Sequence, residues 1–191
     1  LLGGKYTIYN EKQESGSLVS TVESDEGNIY IYENEDVLPI GFTQDIYMLK
    51  SDFLELDPEL RALAMIKALV VEDDMESEVK SVLREYDPAE DGVISSENKV
   101  NDIREHLQEK GGNFNRSGKG FSLTMTADSD KYAFFSVPAD DGWTAEVNGK
   151  SVEILDVNGM MAVQISEGQN EIEFKYEVPF LKEGIIISIV S

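Results

Sequence analysis

Cysteine is absent from the 191 residues. That removes thiol catalysis, disulfide bracing and cysteine–zinc sites, and it leaves the redox compartment open. Histidine occurs once, as His106, so no multi-histidine metal centre can be assembled within this chain. Positive charge is scarce: 16 Lys and Arg stand against 38 Asp and Glu, for a net charge of −22. A surface this acidic repels phosphate backbones and anionic headgroups, which argues against nucleic acid and membrane-surface binding. Its ordinary use is solubility. Neither a dinucleotide-type nor a Walker-type glycine loop occurs, and no Gly-x-Ser-x-Gly nucleophile elbow is found. Leu1-Leu2-Gly3-Gly4 carries neither a basic leader nor a long apolar core, so no signal peptide is expected.

What is present is enough apolar material, 41% of the residues, to build a real core. The clearest pattern lies between Asp141 and Tyr176. Trp143, Ala145 and Val147 alternate with Thr144 and Glu146, and Ile172, Phe174 and Tyr176 alternate with Glu171, Glu173 and Lys175. A period of two means strands with one buried and one wet face. Asn148-Gly149 and Asn158-Gly159 tolerate positive φ at both central positions of a tight turn, which favours hairpins. Phe121, Leu123 and Met125 extend the alternation upstream, as do Ala133, Phe135 and Val137.

The first half is mixed. Residues 5–9 and 28–33 are β-formers, residues 11–27 are polar and predict a loop, and Pro39 marks residues 34–42 as irregular or edge structure. Asp57-Pro58-Glu59 is a helix start, followed by an apolar run to Val71. Met75, Val79, Val82, Leu83 and Tyr86 predict a second, amphipathic helix, and residues 96–110 a third, stopped by Gly111-Gly112. Strands, then helices, then strands argue for an α+β fold rather than a parallel α/β sheet. The expectation is an antiparallel β-sandwich, jelly-roll-like, formed mainly by the C-terminal half plus N-terminal strands, with about three helices in the middle. Residues 1–112 form the mixed part and 113–191 the β part, together expected as one compact unit. Gly184 to Ser191 is apolar and uncharged: either a buried last strand or the first turns of a membrane helix, which needs about 20 such residues.

Candidate chemistry is sparse. Trp143, the single tryptophan, is either core or a platform for a sugar ring, with Asp141 beside it and Tyr30, Tyr32 or Tyr132 as possible exposed contributors. The stretch from Asp87 to Asn98 resembles an EF-hand calcium loop through Asp87, Asp91, Gly92 and Ser95. Ala89 and Asn98 replace two ligands, so an acidic turn between helices is the plainer reading. Asp102 and His106 form an ordinary i, i+4 pair. Asp140-Asp141-Gly142 reads as a turn rather than a glycosidase pair, whose carboxylates come from separate segments. No catalytic residue and no cofactor is assigned.

Several stretches together are similar to the YfhO family of bacterial membrane proteins. Leu2-Gly3-Gly4-Lys5-Tyr6 resembles that family's Leu-Gly-x-Lys-Tyr segment, and Tyr32-Glu33-Asn34 with Leu38-Pro39-Ile40-Gly41-Phe42 resembles its Tyr-Glu-Asn…Leu-Pro-x-x-Phe signature. Phe135-Ser136-Val137-Pro138, Gly142-Trp143-Thr144-Ala145, Asn148-Gly149-Lys150, Gly168, Tyr176 and Gly184 to Ser188 follow its C-terminal pattern, while residues 71–120 are not distinctive. The resemblance implies a polytopic membrane protein of the C-type glycosyltransferase superfamily. Such an enzyme moves a sugar from a lipid-phosphate donor to a cell-envelope polymer such as teichoic acid. This chain is then expected to be a non-catalytic extracytoplasmic domain at the cell membrane, joined to it by flanking helices, with Gly184 onward starting the next span. Its expected partners are envelope glycan or lipid-linked sugar. The alternatives are a freestanding carbohydrate-binding or adhesion module and, third, a small calcium-regulated enzyme.

Overall fold

The computed structural model describes residues 4–34, 37–95, 107 and 110–181. The first three strands, β1 (Tyr6–Tyr9), β2 (Ser17–Ser24) and β3 (Gly27–Glu33), form an antiparallel sheet in the order β1-β3-β2. β2 lies where the polar composition predicts a loop. Nearly all of it is exposed on both faces, so no alternation of buried and wet residues marks it. Its ladder to β3, interrupted by an irregularity between Leu18 and Ser20, makes it a strand. The expected strands at residues 5–9 and 28–33 are present as β1 and β3.

The middle of the chain is built on β5 (Ile46–Leu49), which follows β4 (Gly41–Gln44). Helices α1 (Lys50–Glu55) and α2 (Pro58–Lys67) come next, then β6 (Leu69–Val71), a 3-10 turn at Asp73–Met75, α3 (Glu76–Val79), β7 (Arg84–Glu85) and α4 (Pro88–Asp91). Asp57 caps α2 as expected, its carboxylate accepting the Glu59 amide at 3.1 Å. The helix stops at Lys67, four residues short of the predicted end. Leu69, Val70 and Val71 are instead a fully buried strand parallel to β5. A short apolar run of this kind fits a buried strand and a buried helix equally well. The second predicted helix shrinks to α3, because the chain beyond it is captured by β5: Arg84 donates its amide to Asp45 and Tyr86 to Tyr47. The result is a small parallel sheet, β6-β5-β7, which the helical reading of this region misses. Of the third predicted helix, only Leu107 and Lys110 are described; Leu107 is helical and buried.

The second half supplies β8 (Asn113–Ser117), β9 (Gly120–Ala127), β10 (Lys131–Pro138), β11 (Trp143–Val147), β12 (Lys150–Val152), β13 (Leu155–Val157), β14 (Met160–Ile165) and β15 (Gly168–Tyr176). With β4 they form the expected antiparallel sandwich; the N-terminal strands expected in it, β1 and β3, pair instead with β2 in a sheet of their own. One sheet runs β12-β11-β15-β9-β8, the other β13-β14-β10-β4. Both predicted hairpin turns are present: Asn148 and Gly149 have φ of 53° and 74°, Asn158 and Gly159 of 56° and 83°. The sandwich core holds Phe121, Leu123, Phe135, Met161, Ile172 and Phe174. The other face of the four-stranded sheet, through Phe42, Tyr132, Phe134 and Leu155, packs on Tyr47, Leu69 and Val71 of the parallel sheet. The far face of that sheet, with Ile46, Met48 and Val70, covers Phe53, Leu63 and Ala64 of α1 and α2. Four layers result. Gln44, buried between them, donates from Nε2 to the Ile66 carbonyl at 3.0 Å and so satisfies the last turn of α2.

Asp45 joins these parts electrostatically by accepting from both Lys110 and Lys131. Burial pushes the Asp45 carboxyl up, but hydrogen bonds from the two ammonium groups outweigh it and hold it below its ordinary value. A carboxyl depressed by folding stabilises the fold at pH above its unfolded value, about 4, and that contribution is lost as pH falls through the lower folded value. Thermal melts should therefore lose stability as pH drops below about 4. Asp45→Asn should lower stability at neutral pH by about 1 kcal/mol, since the carboxylate is 43% exposed, and should shallow the acid limb. An unchanged acid limb in the variant would remove Asp45 from this role.

No helix among the described residues is long and apolar enough to cross a membrane. The expectation for Gly184 to Ser191 lies outside the described residues.

Candidate functional site

β10 ends at Pro138, and the chain turns through Asp140-Asp141-Gly142 into β11. The turn is an Asx-type turn: the Asp140 carboxylate accepts the Gly142 amide at 2.8 Å, and its carbonyl accepts that of Trp143 at 3.1 Å. Gly142 is required by contact. A Cβ there would lie 2.5 Å from the Glu177 carbonyl oxygen. The turn delivers Trp143 as the first residue of β11, opposite Tyr176 of β15. Both point to the inner face of the five-stranded sheet, half-buried, with ring centroids 5.0 Å apart. Trp143 also meets Phe121 edge-on at 5.5 Å and Phe174 at 6.3 Å. Its orientation is thus fixed by packing on three sides. The Tyr176 hydroxyl is hydrogen-bonded to Asp140, which raises its pKa.

Trp143 walls two clefts. The first, of about 370 Å³, opens where the chain passes from β12 of one sheet to β13 of the other, and includes Asp140, Asp141, Thr144, Ser151 and Asp156. The Asp156 carboxylate is engaged by the Gly159 amide at 2.7 Å. Asp141 is exposed, lines this cleft and, among the described residues, makes no hydrogen bond or ion pair, so its carboxylate is available as an acceptor. An aromatic wall beside a free carboxylate suits a polyol ring: C–H groups lie against the indole and hydroxyls donate to the carboxylate. The second cleft, of about 440 Å³, lies beyond Tyr176 beside β8 and β9, with Phe114, Arg116 and Lys119.

Of the residues anticipated here, Trp143 and Asp141 come together. Tyr132 does not. It is 1% exposed, on the opposite side of the four-stranded sheet from the sandwich core, with its hydroxyl directed to Glu78 at 3.5 Å. Burial, reinforced by Glu78, pushes its pKa up to about 12. Tyr32 is buried too, its hydroxyl taken by the Gln13 backbone. Both faces of β10 are apolar in sequence, and that is the signal which places Tyr132 inside. The second cleft goes unmarked in the sequence because Asn113–Ser117 is fully exposed and shows no burial alternation.

The calcium-loop candidates are committed elsewhere. Asp87 caps α4 by accepting the Ala89 amide at 2.8 Å. Asp91 receives both guanidinium nitrogens of Arg84, at 2.6 and 3.0 Å, which lowers its pKa. Ser95 lies just past the helix, and Asn98 is outside the described residues, as are Asp102 and His106. Among the described residues, no group of three or more acidic or histidine side chains is placed to hold a metal ion.

The comparisons with known proteins bear on the part of the chain that carries these clefts. Residues 94–188 match the family described as "Bacterial membrane protein YfhO". A relative from Bacillus subtilis (strain 168), described as "Uncharacterized protein YfhO", is 27% identical over 92 residues, 48% of this chain. The match spans 11% of that relative's length. The matched residues include Trp143, Asp141 and Arg116, whereas the N-terminal segments from Leu2 to Phe42 lie outside them. No solved structure matches.

Proposed function

We propose that this chain, which belongs to the YfhO family of bacterial membrane proteins, is an outer-face portion of a glycosyltransferase-like membrane protein and holds a cell-envelope glycan or teichoic acid acceptor near the membrane-embedded site. The observation that supports this reading is the Trp143 cleft: a packed indole beside the unengaged carboxylate of Asp141, with Ser151 at the same opening. Glycan recognition needs such a pairing. A sugar ring offers an apolar face and several hydroxyl donors, and a preformed ring with a preformed acceptor meets both at little ordering cost. Transfer itself is assigned to parts of the protein beyond this chain, so the domain's contribution is orientation of the acceptor.

Calorimetric titration with neutral envelope oligosaccharides tests this. Trp143→Ala should abolish measurable binding. Asp141→Asn, which disturbs no packing, should weaken it roughly tenfold, the value of one hydrogen bond to a charged group. If wild-type protein binds no such oligosaccharide, and Trp143→Ala leaves transfer intact in the full-length protein, only a bracing role remains.

A further inference from the structure

The second cleft stands apart from the rest of the surface. In a chain of net charge −22, the charged residues bordering it are Arg116 and Lys119, and no carboxylate lines it. Among the described residues, neither cation makes an ion pair. Elsewhere the described lysines and arginines are commonly paired, as Lys131 is with Asp45 and Asp128, and Arg84 with Asp91. Two exposed cations without local partners in so acidic a protein concentrate positive potential at one opening, within a screening length of about 8–10 Å.

The floor is aromatic for a topological reason. Phe114 pairs with Leu123, and Arg116 with Phe121, so both β8 side chains lie on the inner face of the five-stranded sheet. Although it shares that inner face, Phe114 stays 44% exposed at the edge strand. Phe114 touches Phe121 at 5.7 Å, Phe121 touches Trp143 at 5.5 Å, and Trp143 touches Tyr176 at 5.0 Å. Rings thus continue from strand to strand along the cleft that the two cations border. The hairpin that carries the cations is pinned: Tyr176 donates its amide to the Lys119 carbonyl at 2.8 Å, and Gly120 lies against the Phe174 backbone. The backbone of the hairpin and the rings are held before any ligand arrives, so the ordering cost of binding falls on the two cationic side chains.

We infer that this cleft binds a ring bearing an anionic substituent, a phosphate or a carboxylate, with the ring on Phe114, Phe121 and Tyr176 and the anion between Arg116 and Lys119. A guanidinium fork donates two parallel hydrogen bonds to either anion, and the lysine adds a second, mobile charge. Apart from Trp143, the inference rests on residues separate from the acidic cleft, and it does not require the glycan reading above to hold. Trp143, common to both, is the chain's single tryptophan and reports occupancy through its emission.

The test is titration of the whole chain with glucose 6-phosphate, glucuronate, glucose and inorganic phosphate, followed by tryptophan emission and calorimetry. At least one of the two charged sugars should bind, roughly tenfold or more tighter than glucose and tighter than inorganic phosphate, and should weaken as salt is raised. Which charged sugar binds better identifies the anion. Arg116→Ala and Lys119→Ala should each weaken that binding roughly tenfold, with Lys150→Ala, an exposed lysine at the start of β12, as the unaffected control. Loss confined to Asp141→Asn concerns the other cleft. Equal affinity for glucose and the charged sugars, no binding of either charged sugar, or unchanged affinity in both cation variants would overturn the inference.

Discussion

Phe135→Ala should lower the unfolding free energy by about 3–5 kcal/mol, the range for emptying a large aromatic from a packed core. Phe135 is fully buried and lies edge-on to Phe174, with ring centroids 4.7 Å apart, and 6.1 Å from Phe121. The site cannot collapse inward easily. Gly41 faces the ring so closely that a Cβ there would fall 2.7 Å from it, and the neighbouring backbone is held by both flanking strands. Domains of this kind have only about 5–15 kcal/mol in hand, so the variant should show a large drop in urea midpoint with little change in slope. Phe114→Ala supplies the comparison. The same truncation at a ring 44% exposed should cost about 1 kcal/mol or less. Equal losses at the two positions would mean that the sandwich interior is not where the stability resides.

Gly120→Ala should be nearly as damaging by the opposite route. A Cβ at Gly120 would sit 1.9 Å from the Phe174 carbonyl oxygen and 3.1 Å from the Lys175 Cα. These are backbone atoms of the adjacent strand, so no flexible side chain can move aside. The β9 and β15 ladder must part locally, and the loss should reach the upper end of the roughly 1–3 kcal/mol typical of overpacking. Because β9 and β8 form the hairpin that carries Arg116 and Lys119, anion binding should fall while the spectroscopic signature of the sandwich persists. Gly118→Ala, two residues away with nothing near its would-be Cβ, should be close to neutral for stability. A harmless Gly120→Ala would show that the two strands can separate here at little cost.

Where the sequence carried a period, the fold was readable from it. The alternation from Phe121 through Tyr176 and the two Asn-Gly turns specify a sandwich, because each strand there has one face to bury. Asp57-Pro58 specifies a helix start by capping chemistry alone. The misses have a common cause. Leu69–Val71 is buried on both faces, Ser17–Ser24 and Asn113–Ser117 on neither, and a strand without a burial contrast has no period to detect. The candidate site divides in the same way. Trp143 and Asp141 are legible because a lone tryptophan next to a carboxylate-rich turn is conspicuous. Arg116 and Lys119 are inconspicuous, since what distinguishes them is an opening lined by no carboxylate and the lack, among the described residues, of an ion pair, and that depends on the arrangement of distant strands.

The N-terminal ribbon, finally, has a practical side. None of its residues belongs to the three buried clusters, and Leu18, Val19 and Val22 remain about half exposed. Its far turn, Asp25-Glu26, joins β2 to β3 through Gly27, whose φ of 121° only glycine adopts comfortably. A chain segment inserted before that glycine, a tag or a fluorophore attachment sequence, would lengthen a projecting loop and leave both aromatic clefts as they are. The same ribbon offers open backbone edges at β1 and β2, the places where strands of neighbouring molecules can pair in crowded preparations.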